Sequence, residues 1–215
     1  MILESLVTTQ NTDGQVNLAP LGPIVADSFA DETMPEFLLR PYQGSQTCAN
    51  LLSERRATIH VVDDVLLIAQ TAVGSVDLRD RIEPMSIEGA AYHRLKRCHR
   101  WFAAEVVSVE EDPPRYEMKA RTIQSGCVDA FFGFNRAKHV IIELSVLATR
   151  VGLVPDRDIV SKCRESITII DKTAGRRERE AFVLLWRHIA KAIPGFDEAC
   201  PLGQASPMRS GGASS

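Results

Sequence analysis

Residues 101–123 read WFAAEVVSVEEDPPRYEMKARTI, and this stretch decides the fold class. Two runs rich in β-branched and aromatic residues, Trp101–Val109 and Tyr116–Ile123, flank Asp112-Pro113-Pro114-Arg115. Aspartate and proline there interrupt a strand and turn the chain, so the pattern is a hairpin. On the second run Tyr116, Met118 and Ala120 alternate with Glu117, Lys119 and Arg121. A period of two sets one face on a core and leaves the other in water.

Working outward toward the start, Met1–Thr9 is apolar, Asn11-Thr12-Asp13-Gly14 is a turn signal, and Gln15–Ile24 follows as a further strand. Ala57–Ile68 supplies Thr58, Ile59, Val61, Val62 and Val65, interrupted at Asp63-Asp64, which reads as another hairpin turn. Five or more short antiparallel strands joined in this way imply a barrel or a sandwich.

After Gly133 the period changes. Val140, Leu144, Leu147 and Val151 fall at i, i+4, i+7 and i+11, one stripe of a helix, with Asn135 as N-cap and Gly152 as its stop. Asp156–Thr173 reads as a second helix with Asp156 and Asp158 in its first turn, where the helix dipole favours anions. Glu178–Ile193 reads as a third, apolar at Phe182, Leu185, Ile189 and Ile193 and ended by Pro194-Gly195. The fold class is therefore mainly β with appended α: a β domain over 1–132, a small three-helix subdomain over 133–196, and a tail over 197–215 expected to be mobile. The helices are expected to pack on the β domain. Glu143 is expected to be a buried partner for an arginine or an interface contact.

The chain has 215 residues, 45% hydrophobic and 25% charged, with a net charge of −3. That composition suits a packed core and excludes global disorder. No apolar run approaches the ~18 residues of a membrane span. A non-specific nucleic-acid binder carries a basic excess, which is absent. The first residues lack the basic start and cleavage site of a secretory leader. Cys48, Cys98, Cys127, Cys163 and Cys200 stand singly, without a disulfide framework or a Cys-x-x-Cys pair, so a reducing, cytoplasmic setting is expected.

Residues 40–51, RPYQGSQTCANL, carry the most chemistry. Arg40 offers a charged fork, Gly44 allows close backbone approach, and Ser45 and Thr47 place hydroxyls where a short helix, about 46–55, begins. Two readings fit: a phosphate site at a helix N-terminus, or a plain helix cap beside a surface ion pair. The segment from His93 to Phe102 is a basic cluster, either an anion site or a solvated face. The Phe131-Phe132-Gly133-Phe134 run is either a lid over a planar ring or a core anchor. Arg136, at a helix start where a cation is disfavoured, points to a local anion. Metal-site spacing, a Ser-His-Asp order and a Gly-rich dinucleotide fingerprint do not occur, and no catalytic side chain is assigned.

Taken with the strand from Asp13 to Gly22, DGQVNLAPLG, these segments resemble the FMN-binding split-barrel flavoproteins of the flavin reductase and pyridoxamine-phosphate-oxidase-like group. They resemble most the family of domain of unknown function 447. The start MILESLVTTQN, the strand NLAPLGPIV, the loop and helix RPYQGSQTCANLL, and the helix NRAKHVIIELSVLATRVG carry the likeness over residues 1–195. The resemblance implies an antiparallel Greek-key split barrel, a homodimer, and one flavin mononucleotide per subunit. Ser45 and Thr47 would hold the phosphate, with Arg40 near phosphate or ring. Asn17, Ala19, Pro20 and Leu21 would flank the isoalloxazine, and Asn50 would support the loop. His60 departs from the asparagine of related barrels and is either a ligand contact or a satisfied strand histidine. The implied function is a flavin-dependent oxidoreductase acting on a small molecule with NAD(P)H as donor, in pterin-linked one-carbon metabolism. The alternative is a flavin- or anion-binding module without turnover.

Overall fold

A computed structural model describes residues 1–74, 76–197 and 199–202. The hairpin read from residues 101–123 is its longest pairing: β7 (Arg100–Asp112) and β8 (Arg115–Cys127) run antiparallel. Register shifts at Ala103/Ala104 and Val106/Ser108 bend the ribbon, as extra residues in one strand do. Phe102, Ala104 and Val106 of β7 meet Met118 and Ala120 of β8 in the core, the alternation expected from the sequence.

Four more strands, β1 (Ser5–Gln10), β2 (Val16–Leu21), β3 (Glu36–Leu39) and β4 (Arg56–Val61), complete a six-stranded sheet in the order β2-β1-β4-β7-β8-β3, every pair antiparallel. The ladder does not close on itself. Between its edge strands β2 and β3 runs the segment 23–25. Leu3 N–H bonds the Pro23 carbonyl at 3.0 Å, and Ile24 and Leu38 exchange bonds of 2.9 and 3.0 Å. Phe29, Phe37 and Phe102 pack edge to face or tilted, with centroids 5.4–6.0 Å apart, at the centre of the core.

A separate ribbon, β5 (Ile82–Ile87) with β6 (Ala90–Leu95), had no counterpart in the sequence reading. It is tied to the main sheet by Thr8 Oγ1 donating to the His93 carbonyl at 2.5 Å. The apolar run 57–68 is also corrected. Only β4 is a strand, and Asp64 makes no hairpin turn. Its carboxylate accepts from Leu67 N–H at 3.1 Å and caps α2 (Val65–Val73). Val65, Leu66, Leu67, Ile68 and Ala69 are all buried, and a run apolar on every side has no periodicity to separate helix from strand.

The chain divides into two compact units, the first Met1–Phe134, the second beginning at Asn135. In the second, α3 (Arg136–Ala148), α4 (Asp156–Thr173) and α5 (Arg176–Ala192) pack on one another. Asn135 caps α3 through Lys138 N–H at 3.2 Å, as its position predicts. The buried stripe of α3 is Ala137, Ile141, Leu144, Ser145 and Ala148, one step from the stripe read through Val140 and Leu147. The helix carries apolar residues around most of its girth, so spacing alone does not choose the face. Two further readings change here: Glu143 is exposed, which removes its buried pair with an arginine, and α3 ends at Ala148, ahead of Gly152. Trp186 stacks on Phe196 at 4.7 Å and donates its indole N–H to the Asp197 carbonyl at 2.8 Å, pinning the chain beyond α5. Of the segment read as a tail, residues 198 and 203–215 lie outside the described residues. Among the described residues no helix is long and apolar enough to cross a membrane.

Candidate functional site

The loop 40–45 joins β3 to α1 (Gln46–Glu54), the short helix that the hydroxyls announced. Gly44 takes φ +79°, the left-handed region that glycine enters without strain. Ser45 is the N-cap. Its Oγ accepts from Cys48 N–H at 3.2 Å and donates to the Tyr42 carbonyl at 2.8 Å, while its own carbonyl takes Ala49 N–H at 3.0 Å. A helix start has four orphan N–H groups. With that of Ser45 on the Tyr42 carbonyl and that of Cys48 on Ser45 Oγ, those of Gln46 and Thr47 have no protein acceptor among the described residues.

Side chains from two strands converge on this helix start. Asn17 of β2 donates to Thr47 Oγ1 at 3.0 Å, which leaves the Thr47 hydroxyl proton free to donate. Asn50 donates to Thr9 Oγ1 of β1 at 3.0 Å and accepts from Gln46 Nε2 at 2.6 Å. Thr9, Thr47 and Asn50 are buried, so these bonds fix the helix against the sheet in a place poor in water. Asn17, Ser45, Thr47 and Asn50 are thus brought together. Ala19, Pro20 and Leu21 follow on β2 and stay in register with Val7, Leu6 and Ser5. Pro20 therefore does not break the ladder, because an edge strand tolerates a residue without an N–H.

Arg40 is engaged otherwise. Its guanidinium lies 2.8 Å from Asp112 and 3.1 Å from Glu117, on the β7–β8 hairpin. The ion-pair reading is the one realised in this structure.

His60 is corrected as a ligand contact. It is fully buried in β4, its Nδ1 3.0 Å from the Leu6 carbonyl and its Nε2 accepting from Leu95 N–H at 3.0 Å. A carbonyl only accepts and an amide N–H only donates, so Nδ1 carries the proton and the ring is neutral. Burial, helped by the nearby Arg94 charge and opposed by the Leu6 bond, lowers its pKa to about 4. His60 is a buried tie between β1, β4 and β6 with no donor left for a ligand.

Four members of the basic segment face partners inside the first unit. Arg94 pairs with Glu83 and Arg97 with Asp129 at 2.8 Å, and His99 Nε2 lies 3.3 Å from the Asp63 carboxylate. Arg100 lies over the rings of Phe29 and Phe102 and donates to the Glu32 carbonyl, closing the 3-10 turn Asp27–Asp31. Phe131, Phe132 and Phe134 are exposed, so the core-anchor reading fails. Phe131 meets His99 and Phe134 edge-on, at 5.7 and 5.5 Å. Arg136 opens α3 in the second unit and is exposed. Among the described residues no three His, Cys, Asp or Glu side chains gather as a metal site.

The sequence reading missed Thr9, Tyr42 and Arg115. Tyr42 and Arg115 form an isolated bridge, with the Arg115 guanidinium 3.6 Å from the ring centroid. An aromatic inside a turn-rich loop was the available signal for Tyr42; nothing local pointed to Arg115.

Similar in fold to this chain is a solved structure, that of an FMN-bound DUF447 protein from Methanosarcina mazei. The two match with a TM-score of 0.74 at 21% identity, over 87% of this chain and 94% of that one. Flavoredoxin from Methanosarcina acetivorans matches 59% of this chain and 68% of its own, with a TM-score of 0.47 and 17% identity. The styrene monooxygenase flavin reductase from Pseudomonas putida matches 59% and 82%, with a TM-score of 0.44 and 14% identity. The family model for the N-terminal domain of the protein of unknown function DUF447 matches residues 3–129, and a second DUF447 model matches residues 135–187. The chain belongs to the DUF447 family.

Proposed function

We propose that the chain binds flavin mononucleotide through the loop 40–50 and serves as an FMN-dependent oxidoreductase on a small molecule. The observation that carries this reading is the junction of β2 and α1. There the Thr47 hydroxyl proton and the N–H groups of Gln46 and Thr47 stand free beside Asn17. Three donors at a helix N-terminus suit a phosphate dianion, so the residues present fit the group. Ser45 shapes the loop, since its hydroxyl proton already serves the Tyr42 carbonyl. Ala19, Pro20 and Leu21, half-buried along the edge strand, offer an apolar flank to a planar ring. Bound FMN supplies two-electron redox chemistry; the protein's part is to hold and orient it. That division suits a site made of hydroxyls and amides.

The finer features belong to the same proposal. The segment 23–25, bonded to residues 1–3 on one side and to Leu38 on the other, supports a Greek-key split barrel. A homodimer, a cytoplasmic setting, an NAD(P)H donor, a pterin-class substrate and a phosphate-side role for Arg136 rest on the family resemblance alone.

The absorption spectrum of the purified protein, with chromatography of the released chromophore, tests flavin binding. Thr47→Ala removes one charge-assisted bond and weakens FMN by about 10–100-fold. Unchanged affinity in both Thr47→Ala and Ser45→Ala removes the loop from the site. Bleaching by NADH or NADPH followed by reoxidation with an acceptor supports an enzyme; a flavin that neither donor reduces supports a binding module.

A further inference from the structure

We propose that Arg115, in the turn of the β7–β8 hairpin, is a positioning residue for the phosphate loop; the proposal rests on the flavin reading above. Its side chain grips the loop at two points. The guanidinium stacks on the Tyr42 ring at 3.6 Å and donates to the Arg40 carbonyl. The backbone of the turn adds Tyr116 N–H to the Pro41 carbonyl at 3.1 Å, and Pro114 accepts from Gln43 N–H at 3.0 Å. Side chains complete the clamp, with Gln43 Nε2 donating to Glu111 at 3.1 Å and Arg40 pairing with Asp112 and Glu117.

The route from Arg115 to the ligand site is short and continuous. The Tyr42 carbonyl receives both the N–H of Ser45, at 3.2 Å, and its hydroxyl, at 2.8 Å. Ser45 in turn caps α1 and sets the first-turn N–H groups. Where Tyr42 sits therefore decides where Ser45 sits, and Gly44 between them is free to swing. Hydrogen-bond donors act on an anion only when their geometry is fixed beforehand.

Charge gives the clamp a second consequence. Glu111, Asp112 and Glu117 lie on the hairpin that grips a loop meant for a dianion. Arg40 offsets two of them, and Arg115 brings a further cation to the loop. Arg40 accordingly balances charge on the hairpin, while Arg115 sets the shape of the loop.

The test is FMN titration of the intact chain by fluorescence quenching, with amide exchange of residues 41–50 measured without ligand. Arg115→Gln, Arg115→Lys, Ser45→Ala and the double variant Arg115→Gln with Ser45→Ala are compared with the parent. Arg115→Gln is expected to weaken FMN about tenfold, the loss of a stacked cation and its bond. It is also expected to speed exchange at 43–48 while leaving β1 and β4 protected. Arg115→Lys recovers part of the affinity, and the double variant loses less than the product of the single losses, as groups acting through one loop do. Arg115→Gln with parental affinity overturns the proposal, and so do independent, multiplying losses with unchanged exchange. If the parent itself does not bind FMN, the flavin reading falls and exchange decides the clamp: unchanged protection at 43–48 overturns it, faster exchange there upholds it. Should Arg115→Gln fail to fold, Tyr42→Leu removes the stacked ring and is read by the same criteria.

Discussion

The two units of this chain hold their shape by different means. In the helical unit the ends of elements are set by neighbours. Asn135 reaches Lys138, and Gly175 N–H bonds Glu178 three residues on at 3.0 Å. In the β unit the partners are distant: Thr122 bonds the carbonyl of Pro35, 87 residues away, and Ser125 that of Thr33, 92 away. The candidate site lies in the second kind of structure, since Asn17 and Thr47 are 30 residues apart and Asn50 and Thr9 are 41 apart. A site assembled from such ties is lost when any one strand shifts.

Substitutions in the two units should separate these cases. The largest effect is expected from Phe182→Ala in α5, where a fully buried ring against Trp186 is replaced by a cavity. It should cost about 3–5 kcal/mol, seen as a lowered thermal transition with Trp186 exposed to quencher. Amide exchange in β4 and β7 is read beside it: strands that keep their protection sustain the contrast between the units, and an equal loss in both would contradict it.

The next effect is acid sensitivity in the β unit. His60 is held at about 4 in the folded protein against its ordinary 6.5. The unfolded chain therefore binds a proton first as pH falls. Stability from the neutral ring is complete above pH ~6.5 and is lost as pH drops through ~6.5 to ~4, amounting to about 3 kcal/mol. Urea unfolding at pH 7 and pH 5 should show this slope in the parent and a flatter one in His60→Gln. Identical slopes would assign the acid sensitivity elsewhere.

Gly126→Ala comes third. Across from Gly126 stands Trp101, and a Cβ there would meet three indole atoms at 2.8–2.9 Å. Displacing the ring should cost about 1–3 kcal/mol and change the near-ultraviolet dichroism of the tryptophan. The smallest effect sharpens the helical side: Asn135→Ala removes the cap of α3 and the bond to the Thr173 carbonyl at 3.1 Å. The expected cost is about 1 kcal/mol, with faster exchange confined to the first turn of α3.

What could be read from the sequence follows the same division. The bounds of α4, the Asn135 cap, the short helix after Ser45 and the turn at Asp112–Arg115 were legible because their signals lie within a few residues. Strand order was not, since no residue states which strand it will pair with. Of the site, Asn17, Ser45, Thr47 and Asn50 were gathered as the resemblance implied. His60 stayed open between a ligand contact and a satisfied strand histidine because its role depends on Leu6, 54 residues before it, and Leu95, 35 after. Arg40 looked like a phosphate fork because its Asp112 partner stands 72 residues away.

The proposed function stands or falls on whether the loop 40–50 receives a phosphate. Titrating the intact chain with FMN and with riboflavin, which differ only in that group, tests it most directly. Two or more charge-assisted bonds of about 1.5–3 kcal/mol each should make FMN bind about a hundredfold or more tighter than riboflavin. Equal affinity for the two, or binding of neither, would contradict it.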